Sequence, residues 1–303
     1  GIALRTPFVL AVFGILLIGP LHVLLAVRYL SGRVADAIPA RTGWLLVALL
    51  SAMALARATT LVAPHLGHRL ELLGSVGLMG LALILGLRGR LRWLALLPLV
   101  VVATVSVLHL PWYAHLLTHG HNLIPLVFLW DWTRGRPPGH RLAFVGANLV
   151  WLFGVPAIIL SGLVDPLLNL EPPGAVTRLV DPAAVVAGAA PPGADSALGL
   201  RFLVVFAFLQ AMHYLLWTVF FPLLSRPVIR SSPLPQGWRF WGMALVASAV
   251  VWVAYGLSYY DGRAAYSVLG AFNAYLEQPV AVWVLLTALP ASVTRPLVDR
   301  LRQ

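Results

Sequence analysis

Apolar residues run through this chain almost without interruption, broken every twenty or so positions by short clusters of Arg, Pro and Gly. A bilayer core of about 30 Å takes roughly 20 residues of helix, so each run predicts a helix that crosses a membrane. The runs lack the in–out alternation of barrel strands. Punctuated at the Arg, Pro and Gly clusters, the sequence predicts nine spans: 7–31, 42–63, 70–88, 91–110, 113–133, 141–163, 199–224, 239–260 and 265–290. The first span reads as a true helix rather than a cleaved signal peptide.

The connections carry charge alternately. Arg28, Arg33 and Arg41 follow span 1; Arg88, Arg90 and Arg92 follow span 3; Arg134, Arg136 and Arg141 follow span 5; Arg226, Arg230 and Arg239 follow span 7; Arg295, Arg300 and Arg302 follow span 9. Cytoplasmic loops carry the positive excess, so the chain is expected to start outside, end in the cytoplasm and cross an odd number of times. The fold expected is therefore all-α, a polytopic integral membrane bundle forming one transmembrane domain over 1–303. The one long connection, 164–198, is rich in Pro and holds Asp165, Glu171, Asp181 and Asp195 against Arg178. A loop of that length is expected to be functional, here as an extracytoplasmic lid.

Composition narrows the function. The chain is 60% hydrophobic and 10% charged, against about 45–50% and 25% in soluble proteins. The net charge of +11 comes entirely from Arg placed between apolar stretches, the signature of membrane topology and not of a nucleic-acid surface. With no Cys, disulfides, iron–sulfur clusters, thiolate metal sites and Cys nucleophiles are excluded. Zincin, nucleophile-elbow, P-loop and dinucleotide motifs are absent, and no internal repeat of the kind that builds many transporters is visible. Trp112, Trp130, Trp132, Trp238 and Trp241 are placed for an interfacial belt.

Polar groups at depth in a membrane are costly and therefore mark function. They are His22 in span 1, Arg57 in span 2, His115, His119, His121 and Asn122 in span 5, Gln210 and His213 in span 7, and Asn273, Glu277 and Gln278 in span 9. Counted at about 1.5 Å per residue from the outer end, those on the odd-numbered helices share the middle third of the bilayer. His115, His119 and Asn122 fall on one helix face, and Gly120 with Pro125 distorts the helix so that His121 can swing to the same place. Gln210, His213 and Trp217 share a face, with Gln210 placed to fix the tautomer of His213 and Tyr214 beside it as a catalytic candidate. Asn273 and Glu277 are one turn apart ahead of Pro279. Glu277, read as the only deep carboxylate, can serve as metal ligand, as general acid or base, or as ion partner of Arg57. His109 stands near enough to His115 to join its cluster, whereas His65, His68 and His140 are expected in solvated connections.

Several imidazoles, with or without a carboxylate and with no thiolate, suit non-haem iron, copper or zinc. In hydrocarbon, with aromatic neighbours, they predict metal-dependent oxidation of a lipid-soluble substrate such as a carotenoid, another isoprenoid or a lipid. His119, His121, His213 and His22 are the first-choice ligands and His115 a further one; Asn122, Gln210, Asn273 and Arg57 are the supporting shell. Two other classes stay open: a b-type haem or quinone-handling electron-transfer subunit with His22 and His213, or His119 and His213, as axial ligands, and a proton- or ion-coupled transporter or structural subunit using Glu277.

The length, the helix count, the early Gly19-Pro20-Leu21-His22 and the Met212-His213-Tyr214 neighbourhood resemble the Brp/Blh family of bacterial membrane carotene dioxygenases. The family's Pro-His-Gly on the first helix is replaced here by Leu21-His22-Val23. The resemblance implies iron held by histidines, cleavage of a carotenoid by O2, and residence in a bacterial inner membrane.

Overall fold

The computed structural model describes residues 2–35, 40–87 and 89–289. Arg88, Arg295, Arg300, Arg302 and the side chain of Arg41, which carry part of the charge alternation, lie outside the described residues, as does the last residue of the span 265–290.

The regular elements are all helical. Among the described residues seven helices are long and apolar enough to cross a membrane: Pro7–Val34, Pro64–Ile84, Leu91–Leu108, Pro138–Leu160, Ser196–Leu224, Trp238–Leu257 and Tyr259–Leu286. Their outward surfaces are hydrocarbon: Leu94, Leu97, Val101, Val246, Val250 and Val253 are all more than half exposed. Apolar patches of that extent suit lipid contact rather than water. Where Arg clusters meet these helices their guanidinium groups lie over indoles, Arg141 and Arg134 over Trp130 and Arg136 over Trp132, at 4.8, 5.5 and 5.0 Å from the ring centroids. These are cation–π contacts.

Two predicted spans take other forms. Segment 42–63 is the helix Ala40–Thr59. Segment 113–133 is not one helix but three pieces, Leu110–Gly120, a tight 3-10 turn His121–Leu123, and Pro125–Trp132. Pro125 has no N–H to offer the carbonyl of His121 four residues earlier. Ile124 donates to that carbonyl instead, at 3.1 Å, and tightens the turn.

Proline also explains three wider turns. π-helical stretches occur at Gly14–Ile18, Val150–Gly154 and Leu216–Phe220, each followed two residues later by a proline, Pro20, Pro156 or Pro222. A proline ring collides with the carbonyl four residues back, and a widened turn moves that carbonyl aside without ending the helix.

The Cα positions group into two compact units. In the first (Gly1–His22, Pro111–Phe220, Ser248–Arg263) the helix Ser196–Leu215 is central. Val204, Val205, Phe208 and Leu209 pack with Leu152 and Ile159. The connection 164–198, predicted as a loop, carries the helices Gly174–Thr177 and Pro182–Ala189. Three of its four acids are structural: Asp165 accepts from both Nε and Nη2 of Arg201, at 3.1 and 2.5 Å, while Asp181 and Asp195 cap helices through the N–H groups of Ala183 and Leu198. Gly162 ends the preceding helix at φ +81 with the Arg201 guanidinium against its Cα, where a side chain would collide.

In the second unit (Val23–Leu110, Phe221–Ala247, Ala264–Gln303) the helices Ala40–Thr59 and Pro64–Gly86 form a hairpin fastened by an ion pair, Arg57 Nε to Glu71 Oε1 at 2.6 Å. Tyr275 donates to the same oxygen at 3.3 Å, and Ser75 to Gln278 Oε1 at 2.7 Å. Arg57 therefore pairs with Glu71 rather than with Glu277, and Glu277 is not the only deep carboxylate, since Glu71 is fully buried. His65 and His68 sit in the first turns of Pro64–Gly86, not in a loop.

Candidate metal centre

Three elements of the first unit bring one imidazole each to a common place. His22 follows the π turn at Gly14–Ile18, in the first turn of the helix Gly19–Val34. His121 opens the 3-10 turn that Pro125 enforces. His213 lies near the end of the central helix Ser196–Leu215, just before its π turn. All three positions therefore lie beside a helix irregularity.

The ring centroids of His121 and His213 are 4.6 Å apart, those of His22 and His213 5.2 Å, and ligating nitrogens of His121 and His213 lie within 4.8 Å of each other. Two imidazoles bound at about 2.0–2.1 Å to one ion hold their centroids roughly 4.5 Å apart at a right angle and roughly 5.2 Å apart at a tetrahedral angle. The observed 4.6 and 5.2 Å fall in that range, which packed rings also occupy. His22 and His213 are buried, and aromatic groups enclose the set, with Tyr214 at 4.5 Å from His22 and Trp217 at 6.3 Å from His213.

The tautomer of His22 is defined. Its Nδ1 lies 2.5 Å from the carbonyl of Gly19; a carbonyl only accepts, so Nδ1 carries the proton and Nε2 presents a lone pair. Metal-bound histidines are oriented in this way by a backbone carbonyl on the other ring nitrogen.

His115 and His119 are one turn apart as predicted, with centroids at 4.6 Å, but they form a pair of their own. Phe202 packs on both rings and Phe206 on His119, and His119 Nε2 donates to the carbonyl of Ala189 at 2.8 Å. That carbonyl ends the helix Pro182–Ala189, so His119, expected as a first-choice ligand, fastens the 164–198 connection. Asn122 spends its amide on the carbonyl of Thr118 at 2.9 Å, closing the end of its own helix.

Gln210 also differs from expectation. Its Nε2 donates to the hydroxyl of Tyr214 at 2.9 Å, so it orients Tyr214 and not His213. Glu277 belongs to the second unit, where Asn273 Nδ2 donates to its Oε1 at 2.7 Å, the one-turn pairing that their spacing predicts. His109 is exposed at the end of the helix Leu91–Leu108, and His140 is exposed in the first turn of Pro138–Leu149.

Sequence reasoning missed Glu71 because it fell at the edge of an assigned span. Its signal was an Arg in the last turn of one helix facing a Glu two turns into the next across a short connection. The carbonyl of Leu16, which receives the indole N–H of Trp252 at 2.9 Å, was signalled by Pro20 alone. Comparison with known proteins finds no family model that matches the chain, and no curated protein or solved structure similar to it.

Proposed function

We propose that this protein is a membrane-embedded, metal-dependent oxygenase acting on a lipid-soluble substrate, with His22, His121 and His213 as the protein ligands of a non-haem iron. The observation that carries this reading is the convergence of three imidazoles from three separate elements, one of them with its tautomer held by a backbone carbonyl. Neutral nitrogen ligands without thiolate suit iron, copper or zinc, and three of them leave coordination positions for O2 or substrate. A metal bound there supplies activation of O2, which dissolves well in hydrocarbon. The protein's own groups hold the imidazoles, keep bulk water out and set Tyr214 over His22 through Gln210.

The reading is in keeping with the resemblance to the Brp/Blh carotene dioxygenases, with carotenoid cleavage as one outcome. It takes nine membrane segments with the N-terminus outside, in a bacterial inner membrane. The spacing favours a small ion over a haem. Axial histidines on opposite sides of a haem iron stand about 6 Å apart with the porphyrin between them, whereas His22 and His213 meet edge to face at 5.2 Å.

The test is elemental analysis with a visible spectrum on protein purified without chelator or immobilised metal. About one iron per chain is expected, lost in His22→Ala, His121→Ala and His213→Ala and kept in His115→Ala and His119→Ala. Metal content equal in all five variants would overturn the ligand set. A Soret band would replace oxygenase chemistry by electron transfer.

A further inference from the structure

Beside the three imidazoles lies a buried amide with one end that the fold does not use. Gln210 is buried, 3% exposed, one turn before Tyr214 on the central helix. Its Nε2 is committed to the Tyr214 hydroxyl at 2.9 Å, and the Tyr214 ring lies 4.5 Å from that of His22. The other end of the amide, Oε1, is buried and has no hydrogen-bond partner among the described residues. Turning the amide over would only exchange which of its two atoms is unmatched.

The first helix packs beside this pair: a Cβ on Gly14 would stand 3.4 Å from Gln210 Nε2 and 3.6 Å from Tyr214 Cε2, ordinary contact distances. The neighbouring residues on the central helix, Leu209, Ala211 and Met212, are apolar and offer no donor. A buried acceptor left without a donor is costly, and more so in hydrocarbon than in water.

We infer that the ligand of this site is a lipid-soluble alcohol: an apolar chain bearing a hydroxyl that donates its hydrogen bond to Gln210 Oε1, beside Tyr214 and His22. This rests on the reading of the histidine trio as the reaction centre and adds the substrate class to it. A pure hydrocarbon leaves Oε1 unmatched, and an aldehyde or ketone of the same chain brings a second acceptor against it. Sites built to pair with a hydroxyl reject analogues that lack it.

The experiment is equilibrium binding to the full chain in lipid nanodiscs, using geranylgeraniol, geranylgeranial and the C20 hydrocarbon of the same skeleton as probes. The alcohol is expected to bind about tenfold or more tighter than either analogue. Gln210→Leu is expected to remove the difference while leaving bound metal unchanged. Tyr214→Phe, which releases the amide to present either atom, is expected to remove the discrimination between alcohol and aldehyde, and serves where Gln210→Leu fails to fold. Equal binding of all three probes, no binding of any, preference for the aldehyde, or full preference retained in both variants would overturn the inference. Selective binding of the alcohol by a protein without metal would remove the oxygenase reading and keep this site; metal without selectivity would do the reverse.

Discussion

Trp252 donates its indole N–H to the carbonyl of Leu16 at 2.9 Å, the carbonyl to which Pro20 has no N–H to give. The first helix can thus widen at Gly14–Ile18 and continue to His22 without stranding a backbone acceptor in hydrocarbon. The indole is in effect a built-in substitute for the missing rung of the ladder. Trp252→Phe keeps the ring and removes the N–H. A loss of about 1 kcal/mol is expected, the usual worth of a hydrogen bond within a membrane protein. A thermal midpoint in detergent indistinguishable from the wild type would show that the bond contributes nothing.

Pro20→Ala separates stability from function. It gives Leu16 a ladder donor and puts a better helix former in the chain, so stability should be kept or raised. The same change lets the π turn relax, which turns His22 about the helix axis away from His213. Metal retention is expected to fall on the order of tenfold, as when a group orienting a metal ligand is lost. Unchanged metal content with a higher thermal midpoint would mean that the π turn is incidental to the site.

His119→Ala probes the fastening of the long connection. It removes the bond to the carbonyl of Ala189 and the imidazole packed on Phe202 and Phe206, and touches none of the three proposed ligands. Amides in the helix Pro182–Ala189 are expected to exchange hydrogen roughly fivefold faster, the equivalent of about 1 kcal/mol of local stability. Exchange at the wild-type rate together with loss of metal would return His119 to the ligand set.

Much of this architecture is readable from residue order, and the parts that are not have identifiable causes. Apolar runs and Arg clusters located seven of the nine expected spans as long apolar helices among the described residues, because the length of a spanning helix needs no tertiary information. Gly120 and Pro125 marked the break that presents His121, since the missing proline N–H acts locally. Pro20, Pro156 and Pro222 each follow a π turn, but Pro98 and Pro279 sit in helices that stay α, so a proline alone does not mark the widened turn. What residue order could not do was divide five imidazoles between two roles. The spacing of His115 and His119 showed that they meet, but their function depends on the carbonyl of Ala189, seventy residues away in sequence, and nothing periodic joins the two. The 164–198 connection was read as a loop because of its prolines, although Asp181-Pro182 is a helix-start signature. The pairing of Arg57 with Glu277, one of three roles open to that acid, gives way to Glu71 for a similar reason. Charge alone names no partner, whereas the hairpin geometry that selects Glu71 is a tertiary fact.

That ion pair carries the last prediction. Glu71 is fully buried and Arg57 only partly, their side chains being 0% and 23% exposed. Removing the cation leaves a buried carboxylate that still accepts from the Tyr275 hydroxyl. Arg57→Ala is therefore expected to be strongly destabilising, by about 3 kcal/mol, read as a lowered thermal midpoint. Glu71→Gln should cost less, because the amide oxygen still accepts from Arg57 Nε and the buried charge is gone. The double variant Arg57→Met, Glu71→Met should also cost less than Arg57→Ala alone, since it removes both charges and fills their volume with apolar atoms. A double variant as unstable as the sum of its single changes would mean that the two residues act independently and that the hairpin does not depend on their pairing.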